Sequence, residues 1–204
     1  MARSEIIPDI KKHHIKKKLD KGERLDGRAW DEYRPISIQL GMLGQAEGSA
    51  RVQLGNSDVI VGVKMGRGTP YPDSPDSGVL STGAELSPTA SPVFETGPPR
   101  EGAIELARVT DRAIREGQVV DMEKLCITPG EDIWMMFVDI QPVDYDGNLF
   151  DAAELAALGA LMSGKVPASQ LEDGKEDYPP TCPELSYNLH RSENRKQHNF
   201  RPMS

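Results

Sequence analysis

An α+β fold, with helices packed on a mixed β-sheet, is what this 204-residue sequence predicts, and three stretches carry the prediction. Residues 49–64 alternate and are β-branched around a Gly-Asn-Ser turn, and residues 101–116 repeat apolar side chains at helical spacing. Residues 132–143 are a nearly continuous apolar run, and an alanine-rich helical stretch follows them. Strand and helix periods thus alternate along one chain, without a visible internal repeat.

Taken in order, Ser4 to Lys18 reads as a helix with a basic face, Lys11-Lys12-His13-His14-Ile15-Lys16-Lys17-Lys18, which is expected to be a solvated arm. A direct RNA contact by this run is the minor reading, and the paired histidines have no nearby third ligand for a metal. Ser49 to Leu54 and Asp58 to Lys64 form an expected hairpin across Gly55-Asn56-Ser57. Residues 66–78, rich in Gly and Pro, read as a loop that lacks the Gly-Lys-Ser/Thr ending of a phosphate-binding P-loop. A strand from about Gly78 to Leu86 leads to a connection ending in Pro98-Pro99.

The best-defined helix spans Glu101 to Glu116, with Gly117 as its stop. At 100° per residue Ala103, Leu106, Ala107, Thr110, Ala113 and Ile114 share one side, while Arg108, Arg112 and Arg115 share the other. Read from the residues alone, that polar side is a solvated, salt-bridged face with Glu101, Glu105 and Asp111 as partners. Asp132 to Val143 reads as a long, largely buried strand whose Trp134 and methionines belong to the core. Asp144 to Asn148 turns the chain into a helix from about Asp151 to Met162, with Asp151 and Glu154 at capping-box spacing and Gly164 past its end. Ala152, Ala153, Ala156, Ala157 and Ala160 imply a close approach of that helix to the sheet.

Composition narrows the class. Net charge is −8, but residues 1–34 carry ten Lys and Arg against seven Asp and Glu, whereas residues 35–180 carry ten against twenty-three. An acidic body repels a phosphate backbone, so any nucleic-acid contact has to come from a local basic patch or a basic partner. No apolar run reaches the roughly 18 residues of a membrane span and no signal peptide is evident, so the cytoplasm is the expected compartment. Cys126 and Cys182 are too few for a disulfide framework and read as inert thiols.

Five motifs stand in order: Gly22-Glu23-Arg24-Leu25-Asp26-Gly27-Arg28, Gly97-Pro98-Pro99, Ile104-Glu105-Leu106-Ala107-Arg108-Val109, Pro129-Gly130, and Asp144-Tyr145-Asp146-Gly147-Asn148. Together, from about Ile6 to about Val166, they resemble the RNase PH family of phosphorolytic ribonucleases, and within it the non-catalytic kind of subunit of the archaeal exosome. The resemblance implies an RNase PH-like fold, and a ring of three such subunits alternating with three catalytic RNase PH-like ones as a trimer of heterodimers. It also implies RNA-binding cap subunits and single-stranded RNA as further partners, with neither a cofactor nor a membrane. Single-stranded RNA would be shortened from its 3′ end by phosphate attack.

Active members are expected to carry a small hydroxyl residue and an Arg where Leu149 and Phe150 stand here. Apolar side chains at that pair forfeit a charge-assisted phosphate contact of roughly 1.5–3 kcal/mol. No Lys or Arg lies between Lys124 and Lys165, so a slipped alignment does not restore the site, and no catalytic or metal-ligating residue is assigned. The resemblance places Arg108 and Arg112 at positions that grip RNA beside the catalytic neighbour, with Arg100 and Arg115 as possible additions. The alternative is a phosphate-dependent 3′-to-5′ exoribonuclease active by itself, which the missing cation opposes.

The chain is expected to comprise a basic helical arm over residues 1–20, an incomplete RNase PH-like domain over 21–179 and an atypical tail over 180–204. That tail shows neither strand alternation nor the acidic segment implied by the resemblance, which suggests a shifted reading frame or early termination. A third reading follows, a degraded relative without a surviving role.

Overall fold

The computed structural model describes residues 9–164, in two compact units that meet in sequence at Ile36 and Ser37. In the first unit, helix α1 (Asp9–Leu19) carries Asp9 in its first turn and Lys16, Lys17 and Lys18 in its last, the arrangement favoured by the helix dipole. It ends one residue beyond the expected Lys18, and its expected start at Ser4 lies outside the described residues. Lys18 then closes the turn by pairing with Glu23 at 2.6 Å. The Arg24 to Arg28 motif folds on itself: Arg24 Nη2 donates to the Trp30 carbonyl at 2.7 Å, and Arg28 Nε donates to Asp26 Oδ2 at 2.6 Å. That guanidinium holds the Asp26 carboxyl below its ordinary range.

The second unit is one six-stranded sheet with two helices on it. Strand β1 (Ile36–Leu40) adjoins β2 (Gly48–Leu54), β2 pairs antiparallel with β3 (Ser57–Gly68), and β3 pairs antiparallel with β6 (Asp132–Asp144). Strand β4 (Val79–Ala84) runs parallel to β6, and β5 (Cys126–Thr128) pairs antiparallel with it, so the sheet is mixed as the sequence predicts. Leu54 faces Ser57 across a two-residue turn, Gly55-Asn56, one residue shorter than the expected Gly55-Asn56-Ser57 because Ser57 already pairs in β3; Gly55 takes φ 63°.

Helices α2 (Glu101–Glu116) and α3 (Leu149–Ser163) lie side by side on one face of this sheet, α2 against β4 and α3 against β2 and β3. Alternation fixes which side chains they cover: Ala50, Val52, Leu54, Val61, Val63, Trp134, Val138 and Ile140 are all nearly fully buried. Ala152, Ala153, Ala156, Ala157 and Ala160 are each fully buried, as their small size predicts. The approach is closest at Gly48, where a Cβ would stand 2.2 Å from the Ala160 carbonyl oxygen. Nearby, the Ser163 hydroxyl accepts from Ser49 N–H and donates to Ser49 O, both at 3.0 Å, tying the end of α3 to the start of β2.

Several sequence expectations are corrected. Residues 66–68 belong to β3 rather than to a loop, because the thirteen-residue β6 offers partners to the end, pairing Gly66 with Met135 and Gly68 with Ile133. Strand β6 is largely buried, as expected, and alternates within that: Met136 and Val138 point inward, while Phe137 and Asp139 face out. Ala113 is exposed, since the packed arc of α2 is narrower than the apolar stripe. Gly117 ends α2 in a right-handed conformation with φ −71°, and the left-handed residue is Gln118 with φ 48°. Strand β1, strand β5 and the short 3-10 turn Glu123–Leu125 have no distinct sequence signal.

Candidate functional site

Helix α2 presents its polar side as a shallow open groove. Glu101, Ile104, Glu105, Arg108, Val109 and Arg112 line it, with Ile104 half exposed among the charges. Its opposite side is anchored by Ala103, Leu106, Ala107, Thr110 and Ile114, and the Thr110 hydroxyl returns a hydrogen bond to the Leu106 carbonyl at 3.0 Å. The helix is therefore held rigidly by its inner side while Arg108 and Arg112 stay on the outer one.

The arginines divide by what they touch. Arg115 Nε donates to Asp111 Oδ2 at 2.7 Å and its Nη2 reaches the Leu80 carbonyl at 2.7 Å, which draws it against β4 and out of the groove. Asp111 is steadied in turn by the Thr82 hydroxyl at 3.2 Å. Arg100 pairs with Glu95 just ahead of the helix. Arg51 grips Asp58 through two nitrogens, and that guanidinium keeps the Asp58 carboxyl below its usual range. By contrast, Arg108 and Arg112 make neither an ion pair nor a hydrogen bond among the described residues. The salt-bridged face expected from the residues alone is realised at Arg115 and not at these two.

The turn between β6 and α3 has the opposite character. Asp144, Tyr145, Asp146 and Gly147 end in Asn148, which takes a left-handed φ of 58° as the residue before the helix. The expected capping box does not form: α3 begins two residues earlier than Asp151, and the Asn148 side-chain amide donates to Asp151 Oδ2 at 2.7 Å. Ser57, fully buried in the β2–β3 turn, pins this segment by donating to the Gly147 carbonyl at 2.7 Å and accepting from Asp146 N–H at 2.9 Å.

Leu149 packs on the core and Phe150 is 39% exposed as the first two residues of α3. A helix N-terminus is ordinarily an anion site, but here Asp151 already occupies the first turn and no cationic side chain belongs to the turn or the helix. Burial first, and the neighbouring Asp151 second, push the Glu154 carboxyl up. Phe94 and Tyr145 meet in a tilted ring contact, centroids 5.2 Å apart and planes at 40°, which no sequence pattern announces. Among the described residues no cluster of His, Cys, Asp and Glu could hold a metal ion, and no helix is long and apolar enough to cross a membrane.

Known proteins resemble this chain in sequence and in fold. The family model RNase_PH, the 3′ exoribonuclease family, domain 1, matches residues 32–167. The exosome complex component Rrp42 of Archaeoglobus fulgidus is 55% identical over 174 residues, covering 85% of this chain and 67% of its own length. That of Methanothermobacter thermautotrophicus is 51% identical over 173 residues, covering 85% of this chain and 64% of its own length. Among solved structures, a chain of the Archaeoglobus fulgidus exosome with RNA bound to the active site superposes with a TM-score of 0.77 at 56% identity, over 79% of this chain and 63% of that one. The chain thus spans about two thirds of the length of the relatives it matches.

Proposed function

Because the chain belongs to the 3′ exoribonuclease family, we propose that it is a non-catalytic subunit of an exosome ring that holds single-stranded RNA for a catalytic neighbour. The observation that carries this reading is the pair Arg108 and Arg112: exposed, one helical turn apart, and without a partner among the described residues. Two guanidinium groups held on a rigid helix and left unneutralised suit the phosphates of a single strand, which supply the negative charge the protein does not. Ile104 and Val109 beside them offer apolar contact to sugars or bases. Arg115 and Arg100, engaged with Asp111, Leu80 and Glu95, are better suited to positioning the helix than to touching RNA.

The same chain does not bind the attacking phosphate. Phosphorolysis needs cations and hydroxyls preorganised around that anion. Leu149 and Phe150 supply an apolar surface next to Asp144, Asp146 and Asp151 instead. Chemistry then belongs to a catalytic RNase PH-like subunit, arranged with this one as a trimer of heterodimers in the cytoplasm, with RNA-binding cap subunits above the ring. Among the described residues none supports activity of this chain alone as a phosphate-dependent exonuclease.

Co-expression with a catalytic paralogue, followed by sizing and an assay of phosphate-dependent shortening of a 3′-tailed RNA, tests the proposal. A ring whose activity neither chain shows alone is expected. Arg108→Ala with Arg112→Ala should weaken RNA binding by about tenfold per arginine while the ring persists. Phosphate-dependent RNA decay by this chain in isolation would reverse the assignment.

A further inference from the structure

The first unit has a feature the preceding reading does not use. At 100° per residue Lys12, His13, Lys16 and Lys17 fall within one arc of α1, and all four are exposed. The apolar residues of the helix pack little among the described residues: Ile10 is 85% exposed, Leu19 46%, and Ile15 is half-buried. Lys12 and Lys16 stand at like-charge i, i+4 spacing, which disfavours the helix, and eleven residues are too few for a helix to be robust alone. Among the described residues Lys12 pairs with Asp9 at 3.5 Å, an exposed pair of little energetic weight, and Asp20 follows on the same arc just past the helix end without an ion pair to Lys16 or Lys17. Residues 9–36 hold nine Lys and Arg against six Asp and Glu, whereas residues 37–164 hold eight against nineteen.

An aromatic side chain sits at the cationic end of this helix. Trp30 is 55% exposed, and its indole Nε1 lies 3.6 Å from where a Cβ on Gly22 would stand; Gly22 N–H in turn donates to the Leu19 carbonyl at 2.9 Å. The indole therefore packs beside Gly22, three residues past the end of α1 and of the last turn that carries Lys16 and Lys17. The Arg24 guanidinium lies 5.7 Å from the centroid of the indole ring, holding it in place through a cation–π contact and the 2.7 Å bond to its carbonyl.

A cationic stripe that tracks a backbone and an exposed ring that accepts a base are the two components of sequence-tolerant single-strand binding. We infer that α1 and Trp30 form a second contact for single-stranded RNA, with phosphates on Lys12, Lys16 and Lys17 and a base against the indole. An acidic protein surface would answer the lysines but leaves the fixed indole unexplained, so RNA is the better match. The inference rests on the chain being an RNA-handling subunit, yet it uses none of the residues of α2.

The test is equilibrium binding of the full chain to a fluorescein-labelled oligouridylate of about 20 nucleotides across a salt series. Replacing Lys12, Lys16 and Lys17 by Gln, a good helix former, should lower the slope of log K against log salt by about 2, near 0.7 per phosphate contact. Trp30→Ala should weaken binding between about fivefold and 150-fold. RNA should also quench the emission of Trp30 in the unmodified chain, where Trp134 is 1% exposed and silent. This last readout survives even if the triple variant loses helix by circular dichroism.

Unchanged emission together with an unchanged slope overturns the inference. So does a triple variant that binds RNA normally but no longer joins the catalytic subunit, which would make the stripe a protein-docking surface. Arg108→Ala with Arg112→Ala, run in the same series, separates the two sites. If these leave binding intact while the α1 variants abolish it, the α2 groove fails as an RNA contact and the arm stands.

Discussion

Helices α2 and α3 are nearly equal in length, lie against each other on the same sheet face, and differ in almost everything else. Helix α2 buries five residues and turns a charged side outward; α3 buries seven, six of them alanine or glycine and the seventh Leu161. The difference teaches that one layer of a fold can divide its labour. Small side chains let α3 sit deep enough to hold the sheet together, which leaves α2 at the margin, where its outer side is free to meet a ligand.

Substitutions should separate these roles. The largest effect is expected at Gly48, where an added methyl group meets the backbone of α3 at Ala160 and Gly164, with Gly164 Cα 2.8 Å away. Gly48→Ala should cost about 3 kcal/mol or more, read as a fall in Tm of at least several degrees or as loss of folded protein. Normal stability in that variant would mean that α3 can lift from the sheet and that the contrast is overstated.

Within α2 the contrast is between its arginines. Arg115→Ala removes the bond to the Leu80 carbonyl and the pair with Asp111, and a loss of about 1 kcal/mol is expected in urea unfolding. Arg108→Ala and Arg112→Ala should each stay within about 0.5 kcal/mol of the parent, because neither has a partner to lose among the described residues. Equal destabilisation at all three positions would place Arg108 and Arg112 in the structural class.

The smallest effect concerns Glu154 on α3. Its folded-state pKa is raised above the unfolded value, by burial first and by Asp151 second, so the ionised form opposes folding at neutral pH. The penalty disappears as pH falls below the unfolded value of about 4.3, where both states are protonated. Glu154→Gln should thus raise Tm slightly near pH 7, and the gain should vanish near pH 4 in a scan of Tm against pH. A gain that grows in acid would contradict the stated cause.

Much of this architecture is legible in the sequence because its signals are local. Helix α2 was predictable at both ends, since an amphipathic stripe and a terminal glycine are read within one segment. The β2–β3 hairpin was predictable from alternation around Gly55-Asn56, and the burial of the alanines in α3 from their size. The last three residues of β3 were not, because Gly66 and Gly68 read as loop residues until the length of β6 is known. The capping box at Asp151 failed for a related reason: the turn held by Ser57 from a distant hairpin sets where α3 begins.

The sequence by itself determined the α+β class, the acidic turn without a phosphate-binding cation, and the spacing that puts Arg108, Arg112 and Arg115 on one helix side. Only the tertiary structure decided which of those arginines stays free. Arg115 falls within reach of a carbonyl on β4 and of Asp111, and a guanidinium near such acceptors satisfies its donors there, whereas Arg108 and Arg112 have none near enough among the described residues. The Asp111 pair is itself a matter of local i, i+4 spacing, but the Leu80 carbonyl that completes the silencing of Arg115 comes from another element and is set by packing.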